Sequence, residues 1–481
     1  MKNYEVVIGL EVHVQLATES KIFCGCSAKF GLEPNSATCP VCLGLPGALP
    51  VLNEKAFLYG LKTALALNCK ISGLIKFDRK NYFYPDLPKN FQISQYDRPL
   101  ASKGFAEIDV NGKRKRIGVT RVHLEEDAGR LIHDPKTNES YADFNRAGIP
   151  LLEIVSEPDI RSPEEASIYM EGLRAILLYL GVSDCSMEEG SLRCDANISV
   201  RRGREEPLGV KTELKNMNSF KAVRDALSYE SARQIELLEN KERVAQETRL
   251  WNEAKAVTAP MRTKEEAHDY RYFPEPDLVP FELDGKTIEK MRRELPELPE
   301  AKKSRFIYEY GLGEYDSDML TRDMNTADFF EETVRKINRP KEAANWLFGD
   351  VASILNRKKT RLADTRFKPA HLAELISMIC SEEINGKIAK DILPEIFETG
   401  MSPAEIAGKK GMKQVKDDRE IARIAREAVK ENRKSAGDYK NGKKGALMFL
   451  VGQVMKKTKG KANPKMVNEI LKKILEEDRT P

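Results

Sequence analysis

No apolar run in this 481-residue chain approaches the ~18 residues that a membrane-spanning helix needs, which excludes a helical integral membrane protein. No motif recurs at a fixed period and no stretch is of low complexity, which removes solenoid and fibrous architectures. There is no Gly-x-Ser-x-Gly elbow and no Gly-x-Gly-x-x-Gly fingerprint, so neither an α/β-hydrolase nor a dinucleotide-binding fold is indicated. A phosphate-binding loop is nearly spelled by Gly437, Gly442, Lys443 and Lys444, but the last position carries lysine where a magnesium-binding hydroxyl should stand. Residues 417–434 before it read as helix, not strand, so that reading is rejected. The segment Met1-Lys2-Asn3-Tyr4 leads directly into a strand pattern, leaving no room for a secretory leader and predicting a cytoplasmic protein.

Hydrophobic residues make up 41% of the chain and charged residues 32%, enough apolar material for real cores without a disorder-like balance. The length predicts two to four domains. The net charge of +4 conceals an asymmetry. Residues 406–481 hold 21 Lys/Arg against 10 Asp/Glu, a local +11, while the rest holds 58 against 65, a balance of −7. A basic tail on an acidic body suits a polyanionic partner at one end, although a solvated helical face would look the same.

Strand and helix patterns alternate up to about residue 290. Turn signals occur at Pro85-Asp86-Leu87-Pro88, Asn111-Gly112 and Ala147-Gly148-Ile149-Pro150. Ser162-Pro163-Glu164-Glu165 opens a helix that continues through Leu173, Ile176, Leu177 and Leu180. From about 297 the strand signals stop. Helix starts follow at Pro299-Glu300-Ala301 and Thr326-Ala327-Asp328. The expected organisation is α+β: an antiparallel-sheet domain over 1–295, a helical domain over 296–407 and a basic helical tail over 408–481.

Four of the eight cysteines lie close together: Cys24-Gly25-Cys26, twelve residues, then Cys39-Pro40-Val41-Cys42. Two short-spaced pairs joined by a loop can deliver four thiolates to one tetrahedral Zn²⁺. Such a site keeps no open coordination position, so it is structural. Four reduced cysteines packed in a core are the alternative.

A second pattern comes from alternation, since successive strand side chains point to opposite faces. Val6, Ile8, Leu10, Val12, Val14 and Leu16 share one face, with Glu11, His13 and Gln15 on the other. Val122 and Leu124 oppose Arg121, His123 and Glu125. Leu192, Cys194, Ala196, Ile198 and Val200 oppose Arg193, Asp195, Asn197 and Ser199; Val210, Thr212 and Leu214 oppose Lys211, Glu213 and Lys215. An ordinary half-solvated sheet has this pattern too. Carboxylates, histidines and cations at matching places allow a sharper reading. Glu11, Glu125 and Asp195 could hold Mg²⁺, and Arg193, Lys211 and Lys215 could neutralise phosphate. Whether these strands are neighbours is not readable from spacing.

The segments Gly9–Leu16 (GLEVHVQL), Cys39–Pro50 (CPVCLGLPGALP), Asp78–Pro88 (DRKNYFYPDLP), His123–Gly129 (HLEEDAG), Gly190–Ser199 (GSLRCDANIS) and Tyr270–Leu278 (YRYFPEPDL) resemble the GatB/GatE family of tRNA-dependent amidotransferase subunits, nearly end to end. The resemblance implies a cradle-shaped N-terminal domain, a helical domain and a tail similar to the YqeY family. It implies ATP-dependent phosphorylation of the side-chain carboxylate of misacylated Glu-tRNA(Gln) or Asp-tRNA(Asn). Ammonia then arrives from a GatA glutaminase, with GatC wrapping both. Matched by position, Glu11, His13, Glu125 and Asp195 correspond to the family's magnesium and phosphorylation pocket. Lys80 and Lys89 match polar groups near the ammonia-channel mouth. The tail, with Lys440, Lys443 and Lys444, would grip tRNA. The sequence offers no evident serine or cysteine nucleophile for releasing ammonia from glutamine, which fits dependence on a partner. The competing readings are a noncatalytic zinc-ribbon RNA-binding scaffold and the GatE-type subunit, whose extra domain finds no room here.

Overall fold

A computed structural model describes residues 4–134, 136–263, 270–412, 418–443, 445–458 and 462–477. The chain divides into two compact units, residues 1–299 and 300–481.

The first unit is built on a nine-stranded sheet. From one edge the order is Val257–Thr263, Glu247–Asn252, Thr212–Lys215, Leu192–Arg201, Glu5–Gln15, Pro150–Ser156, Lys113–Glu126, Ala101–Val110 and Lys70–Ile71. Neighbours run antiparallel except Thr212–Lys215 and Glu247–Asn252, which are parallel. The first strand therefore lies at the centre, between Leu192–Arg201 and Pro150–Ser156. The Asn111-Gly112 signal is a hairpin turn between two long strands, with φ of 54° and 76° that asparagine and glycine tolerate best.

Alternation along the central strands decides which face is covered. Ile8, Leu10, Val12 and Val14, together with Leu192, Cys194, Ala196 and Ile198, are buried against helices. The covering helices are Glu54–Ala66, Pro163–Tyr179 and Phe220–Glu239. The second begins as expected: the Ser162 side chain accepts from the Glu165 amide and Pro163 occupies the first turn. One detail differs. Val210 is exposed and precedes the strand, which starts only at Thr212, so Lys211 is exposed as well. Gly209 lies against the Val200 backbone, so this approach to the strand is irregular.

Beyond the sheet, the short strand Asp78–Asn81 pairs with Phe91–Ser94 on one side and Phe273–Pro274 on the other. This brings together two motifs distant in sequence, and Arg79 forms a two-bond ion pair with Glu275 at 2.7 and 2.9 Å. Leu295 and Leu298 still pack on the first core, and the next helix, Pro299–Tyr310, begins immediately afterwards.

The second unit has no strand among its described residues. It contains two apolar cores, one drawn from Phe306 to Ala407 and one from Ile421 to Leu475. Residues 418–440 form two helices, Asp418–Glu431 and Arg433–Lys440, in keeping with rejection of a phosphate loop there. No helix among the described residues is long and apolar enough to cross a membrane.

Candidate functional site

The open face of the central sheet gathers the polar residues of four neighbouring strands. Registers run Asp195–Glu11–Val155 in one row and Arg193–His13–Glu153–His123 in the next. Gln15, Leu151 and Glu125 form the row beyond. Successive rows on one face are about 7 Å apart, so all these groups line one strip of sheet.

At the centre, His13 Nε2 is 3.4 Å from Glu153 and 3.8 Å from Glu125. His123 Nε2 lies 3.4 Å from Glu153 and 3.6 Å from Glu125. Glu125 also accepts from Ser94 Oγ at 3.2 Å. Ligand atoms of His13, Glu125 and Glu153 all fall within 4.8 Å of one another. Burial alone would strip the proton from both imidazoles. The two carboxylates reverse that effect, raising His13 and pushing His123 up to about 9. Burial acts to raise the carboxyls, yet the histidines hold Glu125 below its usual value and Glu153 well below. His123 Nδ1 is buried with no hydrogen-bond partner among the described residues. Two ionised carboxylates converge there on His13, which would become a nitrogen donor on giving up its proton to a divalent cation, so the set suits such an ion.

The expected ligand set and the cluster that converges here overlap without coinciding. His13 and Glu125 meet, and Glu153 joins them. Glu11 and Asp195 face each other one row away: Glu11 accepts from Asn197 Nδ2 at 2.8 Å, and Asp195 is bonded to the Lys215 ammonium. Arg193 donates to buried Asp127 at 2.8 Å, and Gln15 donates to the same carboxylate oxygen at 2.8 Å. Lys211, outside the strand and exposed, makes no ion pair with the cluster among the described residues. Lys89 holds both oxygens of Glu126, one at 2.6 Å. Lys80 Nζ lies 4.7 Å from the centre of the Tyr270 ring, near enough to Glu125 for its charge to favour the carboxylate.

Alternation and motif give no role to Glu153, His123, Glu126 or Asp127. A signal for Glu153 exists: it is the one charged residue within Pro150–Ser156, which is otherwise apolar but for Ser156. A lone carboxylate in a strand buried on both sides needs a partner.

The cysteine loop is held by short local bonds. Lys21 and Cys26 close a small turn through Lys21 N–H to Cys26 O at 2.9 Å, and the Leu43 amide donates to Cys39 O at 3.0 Å. All four sulfurs lie within 4.8 Å of one another, with Cys39 and Cys42 at 3.9 Å. Tetrahedral Zn–S bonds of about 2.3 Å put sulfurs roughly 3.8 Å apart, so the cluster fits the ion. A hydrogen bond from the Cys24 thiol, aided by the Lys21 ammonium, holds the Cys42 thiol down at about 4. A cavity of about 270 Å³ adjoins this loop, lined by Cys24, Cys42, Lys89, Glu126, Arg79 and Glu275 among others.

In the tail, Lys443 is exposed and pairs with Asp438 at 3.1 Å. Lys440 ends its helix; its side chain, and the whole of Lys444, lie outside the described residues.

Comparison with known proteins adds sequence-wide matches. A family model described as the GatB/GatE catalytic domain matches residues 6–289, and one described as the GatB domain matches residues 328–475. A protein of Carboxydothermus hydrogenoformans is 54% identical over 475 residues, covering 98% of this chain and 99% of its own. One from Caldanaerobacter subterraneus subsp. tengcongensis is 56% identical over 472 residues, covering 98% and 99%. One from Thermodesulfovibrio yellowstonii is 55% identical over 474 residues, covering 98% and 100%. All three are named as the same component of an aspartyl/glutamyl-tRNA(Asn/Gln) amidotransferase.

Proposed function

The chain belongs to the GatB/GatE family, and from that premise we propose that it activates the side-chain carboxylate of misacylated Glu-tRNA(Gln), Asp-tRNA(Asn) or both with ATP, for amidation. It is the synthetase half of a glutamine-hydrolysing ligase. The observation that carries this reading is the convergence of His13, Glu125 and Glu153 beside Asp195–Lys215 and Arg193 on one sheet face.

A carboxylate resists nucleophiles because resonance and charge protect its carbon. In the proposed step a carboxylate oxygen attacks the γ-phosphorus of ATP and ADP leaves. Ammonia then attacks the acyl carbon, and phosphate departs with the bonding pair. A magnesium ion held by His13, Glu125 and Glu153 would supply charge neutralisation for the phosphoryl group. Lys215 and Arg193 stand at the edge of the same strip, where their fixed charges can meet phosphate oxygens. Lys211 would reach it only if the segment before the strand moved. Asp195 holds Lys215 in place and Asp127 holds Arg193.

Ammonia is mostly ammonium in neutral water, so it must arrive by an enclosed route. The cavity beside the Lys89–Glu126 pair supports an entry there, with Lys80 at the reaction side. The source is a GatA glutaminase, and GatC completes the complex. Zinc held by Cys24, Cys26, Cys39 and Cys42 would fix the loop that walls this cavity. We further assign 1–295 as the catalytic domain, 296–407 as a helical domain and 408–481 as a tRNA-binding tail, in a cytoplasmic enzyme.

The test is nucleotide turnover by the purified complex with ammonium salt and charged tRNA. ADP should appear in step with amidated tRNA and not with uncharged tRNA. Amidation without ADP formation would leave the chain a scaffold.

A further inference from the structure

Lys21 is fully buried, an uncommon place for a lysine. Its backbone is pinned on both sides. The amide donates to Cys26 O at 2.9 Å, and the carbonyl accepts from Asn53 Nδ2 at 3.3 Å. The side chain runs inward past Gly148, which makes room for it. A Cβ on Gly148 would lie 3.4 Å from Lys21 Cδ and 3.5 Å from Cys42 Cβ, and the φ of +85° there suits glycine. At its end, Lys21 Nζ donates to Phe144 O at 3.2 Å and to Cys42 Sγ at 3.7 Å. Among the described residues it makes no ion pair. Glu126 comes near, with Oε2 3.9 Å from the same Cβ position, but both its oxygens are engaged by Lys89.

We propose that Lys21 is the charge partner of the zinc site: its ammonium donates to the Cys42 sulfur and offsets negative charge on the metal cluster, which strengthens the hold on zinc. The proposal rests on the assignment of zinc to Cys24, Cys26, Cys39 and Cys42. Charge balance is the first argument. Four thiolates outweigh the two charges of Zn²⁺, so a loaded site is an anion. A buried cation without a counter-charge is destabilising, and so is a buried anion; here each answers the other. Four packed neutral thiols would leave Lys21 with one carbonyl and no opposite charge.

Placement is the second argument. Cys42 is the buried member of the four cysteines, so its sulfur has the least access to water and the most need of an internal donor. Two donors converge on it, the Lys21 ammonium and the Cys39 amide at 3.1 Å. That is the environment of a thiolate that accepts, and groups that hold a ligand atom from behind tune the affinity of the metal.

The experiment compares wild type with Lys21→Met, similar in length and neutral, in the complete complex. Zinc affinity is read by competition with a chromophoric chelator at one fixed pH. Lys21→Met should bind zinc about 10- to 100-fold more weakly. Melting of zinc-loaded and chelator-stripped protein separates charge from packing. Lys21→Met should lower the melting temperature of the loaded protein and leave that of the stripped protein unchanged or raised, because stripping already strands the buried cation. A side chain that only filled space would lower both alike and leave zinc affinity within about twofold of wild type. That result would overturn the proposal, as would a Lys21→Met chain that fails to fold even with excess zinc. Cobalt in place of zinc reports the bond itself. With the Lys21 donor gone, the sulfur-to-cobalt charge-transfer band should move to longer wavelength while the d–d bands of a tetrahedral site persist, and a band at the wild-type position would overturn the hydrogen bond. Absence of zinc from wild-type protein purified without chelator would remove the zinc assignment and this proposal with it. Zinc at about one per chain, with unaltered affinity in Lys21→Met, would remove this proposal alone.

Discussion

His13 and Glu153 stand opposite each other on adjacent antiparallel strands, with His13 Nε2 3.4 Å from the Glu153 carboxylate. This pair anchors the cluster. The next strand adds His123 beside Glu153, and Glu125 one row along lies within reach of both histidines. Each member is fixed by sheet register, not by a loop, so its position is set by backbone hydrogen bonds across three adjacent strands. A site held this way is preorganised for charge that develops during reaction.

The zinc assignment predicts about one tightly bound ion per chain through Cys24, Cys26, Cys39 and Cys42. Cys39→Ser should lower the metal content and the melting temperature while leaving the catalytic strip chemically unaltered. Elemental analysis of protein purified without chelator checks this. Absence of zinc there would leave the cluster as four packed thiols.

The tail makes a salt-dependence prediction. Ending the chain before Gly408 removes the +11 segment, including Lys440, Lys443 and Lys444. The separate apolar core of that segment implies that the remainder still folds. Affinity for tRNA should fall, and its dependence on salt should become shallower, because fewer counterions are released on binding. Filter binding at several salt concentrations reads both quantities. Unchanged affinity and slope would remove the tail from the RNA contact.

Asp127 gives a pH prediction. Burial pushes its carboxyl up, but Arg193 and Arg146 overcome this and hold it below the usual range. A depressed folded value means stabilisation that is present above the unfolded value near 3.9 and is lost as pH falls through the folded one. Asp127→Asn should therefore cost about 3 kcal/mol at pH 7, where it strands the Arg193 charge. The difference from wild type should shrink below about pH 4. Chemical unfolding at a series of pH values measures it, and a pH-independent difference would show that the charge is not what Asp127 contributes.

Much of this strip was legible in the sequence because alternation is a local property. Glu11, His13, Glu125 and Asp195 each sit opposite buried apolar neighbours, and the structure puts them on one face. Which strands adjoin was not legible, since Glu5–Gln15 pairs with strands far along the chain on both sides. Glu153 escaped for a related reason. Its strand is buried on both faces and reads as a continuous apolar run, so alternation gives no polar face to notice. Lys211 was misplaced because Val210 continued the pattern by one residue where the backbone had not yet entered the sheet. Asp78–Pro88 and Tyr270–Leu278 stand out in the sequence as separate family motifs, with nothing to relate them to each other. The strand pairing of Phe273 with Arg79 brings them together.

Ammonium salt in place of glutamine bypasses the partner glutaminase, so whatever dependence remains belongs to this chain. Glu125→Gln and Glu153→Gln keep size but remove a carboxylate from the proposed cation site, and Asp195→Asn removes one beside it. A hard cation loses much of its binding when a carboxylate becomes an amide, and its charge neutralisation can be worth several kcal/mol in phosphoryl transfer. Asn197→Ala, on the same face but outside the cluster, should be milder. The decisive measurement is the rate of tRNA amidation by Glu125→Gln, Glu153→Gln and Asp195→Asn complexes with ammonium and ordinary magnesium, alongside their affinity for charged tRNA. Binding of tRNA should stay near normal while amidation falls by a factor on the order of 100 or more. Amidation at close to the wild-type rate in these variants would contradict it.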